Sequence, residues 1–537
     1  MTAAGPDATD DGSSDRSGDV EFPIERDDTP GAPAADATTD QIRGSTLLFL
    51  GKLLTIVIHL GSQVLIVRYL TETQYGAFAY ALSVVTLGQS IATFGLDRAV
   101  TRFVPIFEER GERGKALGTL VFVSATVLSL GAAMLLIAIG FQDAVLGAMV
   151  DSGLAVSLLV IMIALAPIQA ADSILIGMFA VSGNPKAIFV RRYLLEPTFR
   201  LTVVVMLIGF GQGVRFLAVG YVVAGAVGVT AYIPVLVRLL RRSGLISRAS
   251  FSSIRLPIRE ILAFTIPILT SDLVYLTMNA SDAILLERFG SVQDVGAFKV
   301  IQPAARLNQL VFTSFSLLFT PVAARLFARG DRGGMDRLYW STALWIAVLT
   351  FPVFVLTTSL GRPITELAYG ERYGASGTFL TLLSFGYYAN ASLGFNGLTL
   401  KVFGRIRYVV GINLVAAIAN VALNLMLIPR FGALGAAIGT TATLLGFNGL
   451  KHAGLRATGV RLLPAELWGT YAAIAGIPLA ILAFQIAFEP PVLVGLALTG
   501  LGSIVVVRLA RPWLRAHEAF PRLMRAGVIR LIVGRDR

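Results

Sequence analysis

The chain contains no cysteine and only three histidines, His59, His452 and His517. Without cysteine there is no disulfide framework, thiolate metal centre or sulfur nucleophile. Three scattered histidines do not supply the three or four converging donors of a metal site. Charge is scarce too: 15% of residues are Asp, Glu, Lys or Arg, against about 25% in a soluble globular protein. No Walker A sequence is present, so transport driven by the chain's own nucleotide hydrolysis is not expected. Gly209-Phe-Gly211-Gln-Gly213 follows no strand and opens no nucleotide-binding unit, and reads as a turn between two apolar segments. Neither a catalytic residue, a metal nor a cofactor is expected.

What the chain has instead is hydrophobicity, 55% of residues with a mean hydropathy of +0.73. Its apolar runs are continuous rather than alternating, which favours helices over a barrel. A spanning helix needs roughly 20 mostly apolar residues. Fourteen such segments are predicted, near 45–69, 75–96, 115–140, 154–181, 187–209, 214–238, 259–285, 295–324, 338–360, 376–403, 407–428, 432–455, 466–488 and 491–510. Six alternate loops between them carry 24 Lys and Arg, whereas the seven intervening loops carry six, Arg68, Arg215, Arg288, Arg362, Arg372 and Arg430. By the positive-inside rule both termini are cytoplasmic, in the cell membrane. The net charge of +12 is then mostly topological, and no nucleic-acid partner is expected.

Residues 1–41 form an acidic tail with eleven Asp and Glu against Arg16 and Arg26, expected to be disordered and lacking the pattern of a signal peptide. Residues 513–537 are a basic cytoplasmic tail, read as either an interfacial helix on the anionic leaflet or a solvated segment.

Between the tails the text repeats. Arg68-Tyr69-Leu70-Thr71 through Tyr75-Gly76-Ala77-Phe78 returns as Arg288-Phe289-Gly290-Ser291 through Val295-Gly296-Ala297-Phe298. Arg110-Gly111-Glu112-Arg113-Gly114 returns as Arg329-Gly330-Asp331-Arg332-Gly333 at a lag of 219, and Met206-Leu207-Ile208 as Met426-Leu427-Ile428 at 220. A lag that covers six spans restores the same orientation, so the copies are two parallel six-helix lobes, residues 42–245 and 246–462, with a cleft between them. Residues 463–512, the last two spans, stand outside the duplication.

Charges at membrane depth are costly and mark candidate functional groups. Glu196 and Arg200, four apart, read as a structural pair on one helix face. Lys299 and Arg306, seven apart, share a face of span 8. The 220-residue lag sets Lys52 of span 1 against Asp272 of span 7, while Lys299 and Arg306 have no cationic counterpart in span 2. Lys52, Lys299 and Arg306 together suit an anionic group, above all a phosphate; the alternative is snorkelling for Lys299 and an internal strut for Arg306 with Asp272 or Asp282. Asp172, Asp272, Asp282, Asn420 and Asn424 are candidates for lining the cavity or for ion coupling. For the asparagines interhelical hydrogen bonding is the first reading and lining a hydrophilic cleft the second.

The two six-span lobes, the two extra spans, the Tyr75-Gly76 turn, and Asn420-x-x-x-Asn424 followed by Ile428-Pro429-Arg430-Phe431-Gly432-x-x-Gly435-Ala436-Ala437 resemble the polysaccharide transporter branch of the multidrug/oligosaccharidyl-lipid/polysaccharide exporter superfamily. The resemblance covers about residues 42–510. It implies an all-α, V-shaped membrane fold and a flippase, not an enzyme, that moves a polyprenyl-(pyro)phosphate-linked oligosaccharide by alternating access. It also implies a cationic cavity for the phosphate linker, for which Lys52, Lys299 and Arg306 are the matching candidates. The expected partners are the lipid-linked oligosaccharide, membrane lipid and a glycosyltransferase or polymerase machinery, with the protein itself a monomer. Drug exporters of the superfamily commonly carry an acid in the first lobe; span 1 here offers Lys52, which weakens the competing reading as a cation-coupled exporter of small amphiphiles, leaving Asp172 as the acid for such a role. A membrane enzyme is the third class, and the longest outer loop, near 361–375, supplies it only Glu366 and Glu371.

Overall fold

Hydrocarbon offers no partner for a backbone N–H or C=O, so a membrane chain must satisfy both internally. Every regular element among the described residues is helical. The computed structural model describes residues 34–93, 95–140, 152–181, 185–242 and 254–514, with side chains for all of these but 34–49, 185, 242, 267–279 and 317–318. The acidic tail up to residue 33 and the basic tail from residue 515 lie outside the described residues. Residues 34–41, assigned to the tail by composition, are instead the first turns of a helix.

The first lobe comprises α1 (Ala34–Tyr69), α2 (Glu72–Thr93), α3 (Leu96–Glu109), α4 (Arg113–Gly140), α5 (Gly153–Met162), α6 (Leu165–Val181), α7 (Glu196–Gly209) and α8 (Val214–Arg242), with a π-helical stretch, Phe189–Leu195, leading into α7. The second comprises α9 (Ile258–Phe289), α10 (Val292–Arg306), α11 (Leu310–Ala328), α12 (Arg332–Ser359), α13 (Gly361–Tyr369), α14 (Ser376–Ser392), α15 (Asn396–Val402) and α16 (Ile406–Gly454). α17 (Trp468–Phe488) and α18 (Val492–Leu514) follow and pack on α12, so they travel with the second lobe.

Each of the fourteen predicted spans overlies helix. By length and apolarity nine helices among the described residues can cross a membrane, or ten if the bent pair Val292–Ser316 and Phe319–Ala328, inclined by 47°, is one span. One part of the difference has its physical origin in α16. At about 1.5 Å per residue its 49 residues would reach more than twice the roughly 30 Å of hydrocarbon. It breaks at Gly432 (φ 54°, ψ −132°), the first residue of the twelfth predicted span.

The sequence repeat is a repeat of geometry. Gly111 closes α3 and Gly330 closes α11, both with φ +69°, a left-handed conformation that glycine adopts without steric cost. In each turn the next residue donates back across the helix end, Glu112 N–H to the Phe107 carbonyl at 2.8 Å and Asp331 N–H to the Leu326 carbonyl at 3.1 Å, the Schellman arrangement.

The two copies meet along α2 and α10. A Cβ added to Gly76 would lie 1.9 Å from the Val292 carbonyl oxygen, and one added to Gly296 would lie 3.3 Å from the Glu72 carbonyl oxygen and 3.2 Å from the Gly76 Cα. Val292 stands 220 positions after Glu72, so the contact is reciprocal, as a twofold axis requires. Beside it Gln293 donates to Thr73 Oγ1 at 2.9 Å, again across the same lag. The pseudo-twofold axis therefore passes between the two glycines.

At one end of this seam the lobes are tied shut. Arg68 in the last turn of α1 donates to the carbonyls of Ala368, at 2.9 Å, and Leu367, in the last turn of α13; a cation is favourable at a helix C-terminus. Arg372 returns the contact, donating to the carbonyls of Leu70, at 2.8 Å, and Val67. The pseudo-equivalent of that second tie is present: Ser152 N–H donates to the Glu287 carboxylate at 3.2 Å.

Substituting Gly76→Val pushes side-chain carbons into the Val292 carbonyl and is expected to cost about 1–3 kcal/mol. Thermal unfolding of the detergent-purified protein should show a lowered midpoint. Gly61→Ala, where an added Cβ meets nothing within 4 Å, should not lower it; equal midpoints for Gly76→Val and wild type would contradict the seam.

Candidate functional site

Away from the sealed end, the diverging lobes enclose a cavity of about 620 Å³. Lys52, Ile56, His59, Gln63 and Ile66 line it from α1, their spacing of four and three alternately marking one helix face. Lys299, Gln302, Pro303 and Arg306 line the facing wall on α10. The seam itself supplies a bridge, since Gln63 donates to the Val300 carbonyl at 2.8 Å and to Tyr75 Oη at 3.2 Å.

Lys52, Lys299 and Arg306, nominated from sequence, thus stand around one space, Lys52 on the first lobe and the other two on the second. Lys52 Nζ donates to Thr313 Oγ1 at 3.1 Å, Lys299 Nζ to Gln302 Oε1 at 3.3 Å, and Arg306 Nε to Tyr387 Oη at 3.4 Å. Each of these hydrogen-bond partners is a neutral side chain. The positions 220 earlier than Lys299 and Arg306 are Ala79 and Thr86, and both line the same cavity. The charge asymmetry of the duplicated copies is therefore turned inward.

The described acids do not line the cavity, and the amides make the interhelical bonds that were their first reading. Asp282, Asn420 and Asn424 do not line the cavity but are buried inside the second lobe, between α9 and α16. Asn424 Nδ2 donates to Asp282 Oδ1 at 2.7 Å, Thr440 Oγ1 donates to the same carboxylate at 3.3 Å, and Ser281 Oγ donates to Asn420 Oδ1 at 3.2 Å. Hydrogen bonds of this kind are what let a carboxylate be buried. Asp282 also interacts electrostatically with Lys299 and Arg306, so it serves as a counter-charge behind the cationic wall. Asp272 belongs to α9, and its side chain lies outside the described residues.

Asp172 likewise misses the central cavity. It pairs at 2.6 Å with Arg191, near the start of the predicted span 187–209. The π-helical stretch turns Arg191 inward, and Gly228 leaves it room, since a Cβ there would meet the guanidinium at 3.0 Å. Glu196 and Arg200 form their pair at 2.7 Å. Asp172, Arg191, Glu196 and Arg200 surround a smaller cavity of about 20 Å³ within the first lobe.

Sequence reasoning passed over His59, Gln63 and Tyr221, which line the central cavity. A signal existed for His59, seven residues after Lys52 on the same helix face. Tyr221 had none, because only packing brings α8 beside α2. Among the described residues no three His, Asp or Glu are grouped as a metal site would require. The arrangement is suited to holding an anion between two bodies: Arg can grip phosphate oxygens in bidentate fashion, and Lys acts as a point charge.

Comparison with known proteins bears on the family and the fold. The family described as "Polysaccharide biosynthesis protein" matches residues 42–327, more than half of the chain. The capsular polysaccharide biosynthesis protein CapF of Staphylococcus aureus is 25% identical over 183 residues, which are 34% of this chain and 46% of that protein; the chain thus spans about half the length of that curated relative. Among solved structures, the lipid II flippase MurJ in an inward closed conformation aligns with a TM-score of 0.65 at 14% identity, covering 87% of this chain and 100% of that one. A multidrug resistance MATE family transporter of the MOP superfamily, inward-facing, aligns with a TM-score of 0.60 at 15% identity, covering 75% and 94%. At these identities the likeness establishes the fold: an all-helical, multi-pass membrane protein with the MurJ and MATE architecture.

If the buried amides hold the second lobe together, Asn424→Ala strips the Asp282 carboxylate of a donor. The expected loss is about 1–3 kcal/mol, read as a lower unfolding midpoint in detergent. An unchanged midpoint would contradict this structural role.

Proposed function

Because this chain belongs to the polysaccharide biosynthesis protein family, we propose that it is a flippase for a polyprenyl-(pyro)phosphate-linked oligosaccharide in the cell membrane, serving cell-surface polysaccharide or glycoprotein synthesis. The observation that carries the reading is the cavity in which Lys52 of one lobe faces Lys299 and Arg306 of the other. An anionic linker is the substrate feature such a space selects. The glycan crosses between the lobes while the polyprenyl chain remains in lipid, so the apolar part never enters the polar path.

Alternating access fits the duplicated architecture. The Lys and Arg distribution supports a cytoplasmic side that holds both termini and the basic loops. The end sealed by Arg68 and Arg372 is then the outer one, and the conformation described is inward-facing. Opening it requires trading those arginine contacts for water while the opposite end closes. The protein acts as a monomer that receives its substrate from glycosyltransferases and passes it to a polymerase or transferase, and it performs no chemistry itself. A cation-coupled drug exporter needs an acidic cavity; here the described acids are buried behind the wall or paired within the first lobe.

In vesicles carrying the reconstituted protein and a polyprenyl-pyrophosphate-linked oligosaccharide, the double substitution Lys52→Ala and Arg306→Ala should slow head-group translocation roughly tenfold or more, equivalent to ~1.4 kcal/mol or above. The variant should still fold and insert. Translocation at the wild-type rate would defeat the assignment.

A further inference from the structure

We propose that Arg200 is an additional ligand for the substrate's anionic group, reached by exchanging its carboxylate partner Glu196 for the head group. This rests on the reading of the central cavity as the head-group path.

Arg200 is, among the described residues, the one shared by the linings of the central cavity and the small cavity inside the first lobe. It occupies the doorway between them. Its guanidinium holds Glu196 at 2.7 Å on the inner side, and lies 5.5 Å from the ring centroid of Tyr221, itself a wall of the central cavity. Glu196 lines the small cavity alone. The arginine therefore faces the substrate space while its counter-ion does not.

The rest of the cluster leaves this exchange open. Asp172, the other acid nearby, is committed to Arg191 at 2.6 Å, so Glu196 is the carboxylate in direct contact with Arg200. Neither member of the Glu196–Arg200 pair is fully buried, their side chains being 27% and 19% exposed, and a partly hydrated pair gains little from its own Coulomb attraction. A phosphate with two or three charged oxygens competes well for a guanidinium under those conditions. His59 of α1 interacts electrostatically with both Arg200 and Glu196, which brings a further cavity-lining group to the same corner.

The duplication supplies an independent comparison. The position 220 after Arg200 is Asn420, which is fully buried and accepts from Ser281 at 3.2 Å. In the second lobe the equivalent position is closed into a network; in the first it opens on the cavity. At Ala79 and Lys299, and at Thr86 and Arg306, the second copy carries the cation; here the first copy does.

Titration calorimetry of the detergent-purified full-length protein with inorganic pyrophosphate separates the possibilities. Arg200→Ala should weaken binding roughly tenfold, and Arg200→Lys by less, since it keeps the charge but loses the fork. Glu196→Gln frees Arg200 and should tighten binding several-fold, the opposite sign, which a misfolded or merely destabilised protein does not produce. Weakening by both Arg200→Ala and Glu196→Gln would overturn the inference, as would wild-type affinity in both alongside weakening by Arg306→Ala; in those cases the central cavity remains an anion site. Absence of pyrophosphate binding by wild type, or indifference to Arg306→Ala, would overturn both the inference and the reading it rests on.

Discussion

Everything in this molecule is arranged around the backbone-to-backbone approach of α2 and α10 at Gly76 and Gly296. In a bilayer there is little hydrophobic gain in bringing one helix to another, so association depends on close packing and on hydrogen bonds. Two glycines facing each other's neighbouring carbonyls, 220 residues apart, supply the first; Gln293 with Thr73, and Gln63 with the Val300 carbonyl, supply the second. Because the contact is reciprocal, it sets the two lobes about one axis, and the helices that diverge from it must leave a space between them. The cavity is a consequence of the seam.

Placing cations in that space is costly, and the second lobe shows how the cost is met. Lys299 and Arg306 project from α10 toward the cavity, with Asp282 buried behind them and held by Asn424 and Thr440. The acid stabilises the wall without presenting itself to a ligand. In the first lobe the balance differs: a π-helical stretch, a feature often found at functional sites, turns Arg191 inward onto Asp172 of α6, and Arg200 is left at the boundary.

Much of this was legible in the chain. The lag of 220 announced two copies, and the copies proved to share even the φ of Gly111 and Gly330. The divergence of Lys299 and Arg306 from their counterparts marked residues that the fold gathers around one cavity. Helical periodicity places residues on a common face, but it does not say what covers the face. For that reason Asp282, a candidate for the cavity wall, turned out to be sealed between α9 and α16 beside Asn420 and Asn424, whose stripe was read first as interhelical bonding, and Asp172 found a partner in Arg191. His59 and Arg200 were readable as a heptad neighbour of Lys52 and as a pair with Glu196; their proximity to one cavity required the packing of α1, α7 and α8.

On the proposed mechanism the substrate passes between lobes that pivot on the glycine seam, with the Arg68 end opening in each cycle. The absence of native cysteine makes a direct measurement clean. Cysteines introduced as Arg68→Cys and Ala368→Cys, joined by a short bifunctional thiol reagent in the reconstituted protein, hold that end shut. Translocation of a lipid-linked oligosaccharide should then fall to the level of protein-free vesicles, while the same variant without the cross-link remains active. Equal translocation with the link in place would contradict the account.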